Sequence, residues 1–134
     1  RVNRHDENRT FQDQSTLQYG RLVLDTGSGF RRRNAPCSDL KSIHYLHDIA
    51  DTDALRSELA PGKRLVIVGG GYIGLEVAAS ANKQGVNVTV LEAAERLMQR
   101  VTGPEMSEFF YAQHERAGVT VRLVTAGSGF ESDG

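Results

Sequence analysis

Leu65-Val66-Ile67-Val68-Gly69-Gly70-Gly71-Tyr72-Ile73-Gly74-Leu75-Glu76, followed downstream by Val88-Thr89-Val90-Leu91-Glu92, is the stretch that decides the fold. A short apolar run, two valines and an isoleucine among its four residues, reads as a strand and leads straight into Gly-x-Gly-x-x-Gly. Across residues 72–84 the apolar positions Ile73, Val77, Ala78 and Ala81 recur at helical spacing, and Gly85 stands where a helix-ending glycine belongs. A second apolar run, residues 86–91, ends on the acidic Glu92. Its distance from the glycines is close to the roughly 20 residues that separate these parts in a dinucleotide-binding βαβ unit.

Each part of that unit has a physical task. Gly69 permits the tight turn out of the strand. Gly71, lacking Cβ, lets the backbone come close to a pyrophosphate, and Gly74 lets the helix pack near the sheet. The helix N-terminus offers unpaired N–H groups and the positive end of the helix dipole. Glu92 can accept hydrogen bonds from ribose hydroxyls and would repel a 2′-phosphate, which favours NAD over NADP. Arg96 and Arg100 are the counter-signal, since they could reach the adenosine end; otherwise they are a solvated helix or loop face.

Downstream, Thr102-Gly103-Pro104-Glu105 matches a capping box with proline in the first turn. The helix it starts is expected to run to about residue 117, burying Met106, Phe109, Phe110 and His114, with Gly118 as its cap. Residues 119–124 alternate as a third parallel strand would. Residues 64–124 therefore read as β-α-β-α-β, a Rossmann-like parallel half of an α/β fold. Upstream, residues 17–24 read as a strand entering a core, ended by the turn cluster Asp25-Thr26-Gly27-Ser28-Gly29. Arg31-Arg32-Arg33 and Pro36 mark a linker, residues 48–59 a helix capped by Asp48 or Asp51, and Pro61-Gly62 its stop.

Composition narrows the function classes. The 134 residues carry a net charge of −1 and 39% hydrophobic residues, with no tryptophan. Such a balance argues against nucleic acid or an anionic membrane as the main partner. No apolar run approaches the ~20 residues needed to span a bilayer. One cysteine, Cys37, cannot form an internal disulfide, and no Cys/His cluster suggests a metal site. A reducing, cytoplasmic setting is expected. The four histidines show no triad logic, and no catalytic residue is assigned. The first residue is arginine, as in a piece of a longer chain.

Several blocks together resemble a known family. They are residues 17–28, His44-Tyr45-Leu46, Asp53-Ala54-Leu55-Arg56, residues 68–78 and Val90-Leu91-Glu92-Ala93. Nearly the whole chain is similar to the FAD-dependent NADH:ferredoxin reductases of bacterial oxygenase systems, the putidaredoxin and rhodocoxin reductase type, within the wider pyridine nucleotide-disulfide oxidoreductase superfamily. The resemblance implies that residues 1–30 are the C-terminal part of an FAD-binding segment. Residues 31–60 would be a linker with a short helix, and residues 61–134 an incomplete NAD(P)-binding Rossmann-like domain. It implies Gly69, Gly71, Tyr72, Ile73 and Gly74 at the pyrophosphate and nicotinamide side of NADH, Glu92 and Arg100 at the adenosine end, and Glu76 near the nicotinamide. Thr26 and Gly27 fall on the segment that touches FAD, with Arg31 nearby. A ferredoxin is the implied electron acceptor.

The chain departs from that pattern where Asp25 replaces an alanine and Gly29-Phe30 replace Arg-Pro. It also holds neither a first, FAD-binding Gly-x-Gly-x-x-Gly nor the later Gly-Ile-Gly segment that closes the NADH domain. The expectation is an NADH-binding segment that does not turn over alone; the alternative is a non-catalytic nucleotide-binding or partner-binding module.

Overall fold

The computed structural model describes residues 2, 3, 5, 7–25, 27, 29 and 35–131. Three short strands, β1 (Val2–Asn3), β2 (Asn8–Thr10) and β3 (Thr16–Gln18), form an antiparallel sheet in that order. Helix α1 (Ile49–Glu58) follows. The rest alternates: β4 (Arg64–Val68), α2 (Tyr72–Lys83), β5 (Asn87–Leu91), α3 (Pro104–Arg116) and β6 (Thr120–Arg122). β4, β5 and β6 make a parallel sheet in that order, with Ile67 beside Val90 and Val90 beside Val121. The βαβαβ half read from the sequence is present.

The core lies on one face of this sheet. Val88, Val90 and Val121 point into it, together with Leu75, Ala78 and Ala81 of α2, and Phe110 and Tyr111 of α3 pack against it. The period of two along a strand turns the other residues to the opposite face. There Val66 is 58% and Val68 45% exposed. Both helices thus cover the same face and leave the other open.

The two helices end by the same device. Gly85 and Gly118 have φ of +79° and +94°, a region open to glycine at little cost. Val86 N–H then bonds the Ala81 carbonyl (3.2 Å) and Val119 N–H the His114 carbonyl (3.0 Å). Gly85 and Gly118 bond the carbonyls of Asn82 and Glu115, completing a Schellman motif at each end. Val86 and Val119, each 2% exposed, are thereby swung into the core. α1 starts differently. Asp51 N–H donates to Asp48 Oδ1 (2.9 Å) and Asp48 N–H to Asp51 Oδ2 (3.2 Å), so Asp48 is the cap and Asp51 its reciprocal partner.

Three expectations need correction. The strand expected at 17–24 stops at Gln18, because its partner runs out: Asn8 pairs with Gln18, Tyr19 N–H reaches the Glu7 carbonyl, and Glu7 turns away with φ +48°. Leu22, Val23 and Leu24 stand outside it and are exposed. Second, α3 is capped by Gly103 without a side-chain hydrogen bond, so the capping box does not form. The Thr102 hydroxyl lies instead against the Met98 carbonyl and Ser107 Oγ. Third, α3 buries Ser107 (2% exposed), whereas Met106 and Phe109 are about half exposed. A helix turns 100° per residue, so a one-residue change of phase is enough to present a different face. On α2, Leu75, Ala78 and Ala81 are buried and Ile73 is exposed.

The corrected faces can be checked by urea unfolding. Leu75→Ala should cost about 2–5 kcal/mol, as buried leucines do. Met106→Ala should cost no more than about 0.5 kcal/mol, as exposed substitutions usually do. Equal costs would contradict the assignment.

Candidate functional site

The carboxyl ends of β4 and β5 lie side by side, with Val68 beside Leu91. The chain leaving β4 must turn sharply into α2, and Gly69 does so with φ +113° while its N–H bonds the Leu91 carbonyl (2.8 Å). Gly70 comes next. Its N–H donates to Glu92 Oε2 at 2.6 Å, and Glu92 Oε1 accepts from Ala94 N–H at 2.8 Å. The carboxylate at the end of one strand therefore fastens the glycine turn at the end of the other. A charged acceptor makes this among the stronger kinds of hydrogen bond. The Gly70 carbonyl is held as well, by Met98 N–H at 2.9 Å.

Space is as constrained as hydrogen bonding. A Cβ on Gly70 would collide with Leu97 Cδ2 and press on Glu92. One on Gly74 would collide with the Gly69 carbonyl oxygen and crowd Ile67. Gly71 differs, for nothing lies within 4 Å of where its Cβ would stand. It is the N-cap of α2 and lends no side-chain cap, and no acidic residue sits in the first turn of that helix. The start of α2 thus has neither a side-chain cap from Gly71 nor an acidic residue in its own first turn to offset its positive dipole end.

Behind the glycine turn, residues 95–102 form a knot. Arg96 Nη1 donates to the Thr102 carbonyl (2.7 Å) and to Ser107 Oγ (2.8 Å), and Nη2 to the Gln99 carbonyl (3.2 Å). Ser107 Oγ in turn donates to the Leu97 carbonyl (2.6 Å). The Arg96 guanidinium is therefore bonded to two protein carbonyls and a hydroxyl. His114 ties α3 to the first turn of α2, its ring nitrogens lying 2.9 Å from the Phe110 carbonyl and 3.1 Å from that of Leu75.

The remaining candidates fall around this cluster. Tyr72 and Ile73 stand exposed in the first turn of α2. Arg100 is exposed in the turn before α3. Glu76 lines a cavity of about 290 Å³ between α1 and α2, with Leu46, Thr52, Arg56 and Ser80. Gly27 (φ +67°) is exposed with no atom within 4 Å of a Cβ position, in the segment after β3. Thr26 and Arg31 lie outside the described residues. The structure brings together Gly69, Gly71, Gly74 and Glu92. The sequence reading missed Gly70, Leu97 and Ser107. Three consecutive glycines were the available signal for Gly70, since the motif itself needs only two of them.

Comparison with known proteins agrees with this geometry. The family described as pyridine nucleotide-disulphide oxidoreductase matches residues 2–134. The chain is 46% identical over 124 residues to the biphenyl dioxygenase system ferredoxin–NAD(+) reductase component of Paraburkholderia xenovorans (strain LB400), covering 92% of the chain and 30% of that protein. It is 41% identical to putidaredoxin reductase CamA of Pseudomonas putida, covering 97% and 32%. Among solved structures, a ferredoxin reductase for the CYP199A2 system from Rhodopseudomonas palustris superposes with a TM-score of 0.81 at 32% identity, over 99% of this chain and 33% of that one. The chain thus spans about a third of the length of the relatives it matches.

Gly70→Ala and Gly74→Ala should each lower stability by about 1–3 kcal/mol, the usual cost of forcing extra volume into a packed place. Gly71→Ala, which meets open space, should cost less, about 0.5–1 kcal/mol, the loss of glycine at an N-cap. A destabilised Gly71→Ala beside an unaffected Gly70→Ala would contradict the assignment.

Proposed function

The chain belongs to the pyridine nucleotide-disulphide oxidoreductase family, and we propose that its residues 64–124 hold NADH within a reductase that passes electrons through FAD to a ferredoxin. The observation that carries this reading is the uncapped start of α2 beside the Glu92 carboxylate. The donors for a pyrophosphate and the acceptor for a ribose stand at adjacent strand ends. The names of the relatives support it, since several are ferredoxin–NAD(+) reductase components of dioxygenase systems. One matched structure is a complex of putidaredoxin reductase with putidaredoxin.

In this reading Gly69, Gly71, Tyr72, Ile73 and Gly74 receive the pyrophosphate and the nicotinamide side. Gly71 contributes the open approach and the first turn of α2 the N–H groups. Glu92 and Arg100 receive the adenosine. Each Glu92 oxygen already accepts one backbone N–H. A carboxylate oxygen has two lone pairs, so each can accept a ribose hydroxyl without releasing the loop. Glu76 lies toward the nicotinamide, and Thr26 and Gly27 toward FAD. Residues 1–30 then belong to an FAD-binding segment, residues 31–60 to a linker and residues 61–134 to the NADH-binding domain. The hydride chemistry is the cofactors' own; these residues bind and orient. The setting proposed for the whole protein is the cytoplasm; no helix among the described residues is long and apolar enough to cross a membrane.

Calorimetric titration of the purified chain tests the reading. NADH should bind saturably and at least about tenfold more tightly than NADPH, a difference of roughly 1.4 kcal/mol. Glu92→Gln should erase most of that preference by removing the charge that opposes a 2′-phosphate. A folded chain that binds neither nucleotide would overturn the proposal and favour a partner-binding module.

A further inference from the structure

We infer that Arg96 is a positioning residue for the dinucleotide loop, acting through Leu97 and Met98 on Gly70, rather than a ligand contact. The inference rests on the NADH reading and deepens it. Four observations form one chain of contacts. The guanidinium reaches three acceptors on residues 99, 102 and 107, so it closes the turn onto the first turns of α3. The hydroxyl of Ser107, 2% exposed, joins Arg96 to the Leu97 carbonyl. Leu97, 1% exposed, is the side chain against which Gly70 lies without room for a Cβ. Met98, 4% exposed, holds the Gly70 carbonyl through its N–H. A planar fork with fixed donors suits this task, whereas a lysine offers a single point charge.

The alternative is that Arg96 meets a 2′-phosphate or the adenosine. Such a contact would have to use guanidinium N–H donors beyond the three that hold Gln99, Thr102 and Ser107, or strand the hydroxyl of a buried serine, and stranding a buried polar group is costly. The two roles differ in what they do to affinity. A positioning residue sets the fraction of molecules whose loop is ready to bind, so its loss weakens every dinucleotide by the same factor. A 2′-phosphate contact weakens NADPH alone, and an adenosine contact weakens both while leaving exchange at Gly70 in the free chain unchanged.

The experiment compares the wild-type chain with Arg96→Met, Arg96→Lys and Ser107→Ala, each first shown to be folded by its thermal transition. Hydrogen exchange reads the amides of Gly70 and Met98, with Val90 as a reference in the sheet. Calorimetry then gives the affinities for NADH and NADPH. Arg96→Met should speed exchange at Gly70 and Met98 but not at Val90, and should weaken NADH and NADPH about equally, by roughly tenfold if the ready fraction falls to about a tenth. Arg96→Lys should restore part of both, and Ser107→Ala should reproduce the direction of Arg96→Met. Unchanged exchange at Gly70 in a folded Arg96→Met variant, or a loss confined to NADPH, would overturn the inference. If the wild-type chain bound neither nucleotide while the exchange changes appeared as described, the NADH reading would fail and the control of the loop by Arg96 would stand.

Discussion

The hydrogen bond from Gly70 N–H to the Glu92 carboxylate, 2.6 Å long, is the constraint on which the upper edge of the parallel sheet depends. It joins the ends of β4 and β5 at the point where both chains leave the sheet in different directions. Without it Gly69 and Gly70 would keep the Leu91 carbonyl and the Met98 N–H as backbone partners. With it, α2 begins at a fixed height above the strands, and its N-cap Gly71 lends no side-chain hydrogen bond to the first N–H groups. The same carboxylate orders the start of the next loop through Ala94 N–H. One acidic residue thereby sets both the turn and the loop that flank the open site.

Packing explains why so few residues suffice to place this site. β4, β5 and β6 bring one face of valines and isoleucine against α2 and α3, and burial of such surface is the main favourable term in folding. The two Schellman ends repeat the return from helix to strand, each delivering a buried valine. Asn82 links the ends of the two helices by donating to the Ala117 carbonyl (2.8 Å). On edge strand β6, Val121 N–H donates to Glu115 Oε1 (2.9 Å). The sheet's other face is left with Val66 and Val68 exposed, so stability rests on one layer of helices.

Much of this was legible in the sequence because it depends on local rules. Residues 65–68, the helix over 72–84 and Glu92 all carry their signals within a few positions, and Gly85 and Gly118 mark helix ends that only a positive φ can make. What was not legible depends on partners far along the chain. On α3 the apolar spacing placed Phe110 and His114 on the inner side but misplaced Met106 and Phe109, because the inward position of Ser107 is tied to Arg96 and the Leu97 carbonyl. The apolar run at 22–24 looks like a strand, but pairing ended when Glu7 turned away. Thr102 has the composition of a cap, yet its hydroxyl is engaged behind it and Gly103 takes the position. For the candidate site, the outer glycines and the acid could be read from spacing. Leu97 could not, because nothing in its neighbourhood marks it as the wall behind Gly70.

The most direct test of the account is to follow backbone amide resonances as NADH is added. The account predicts saturable shifts centred on the amides of Gly70, Gly71, Tyr72, Ile73 and Ala94, with Val86 and Val119 at the far ends of the helices unmoved. Shifts that leave Gly70 and Ala94 untouched while NADH binds elsewhere would contradict it, because the Glu92-fastened turn would then not be the dinucleotide site.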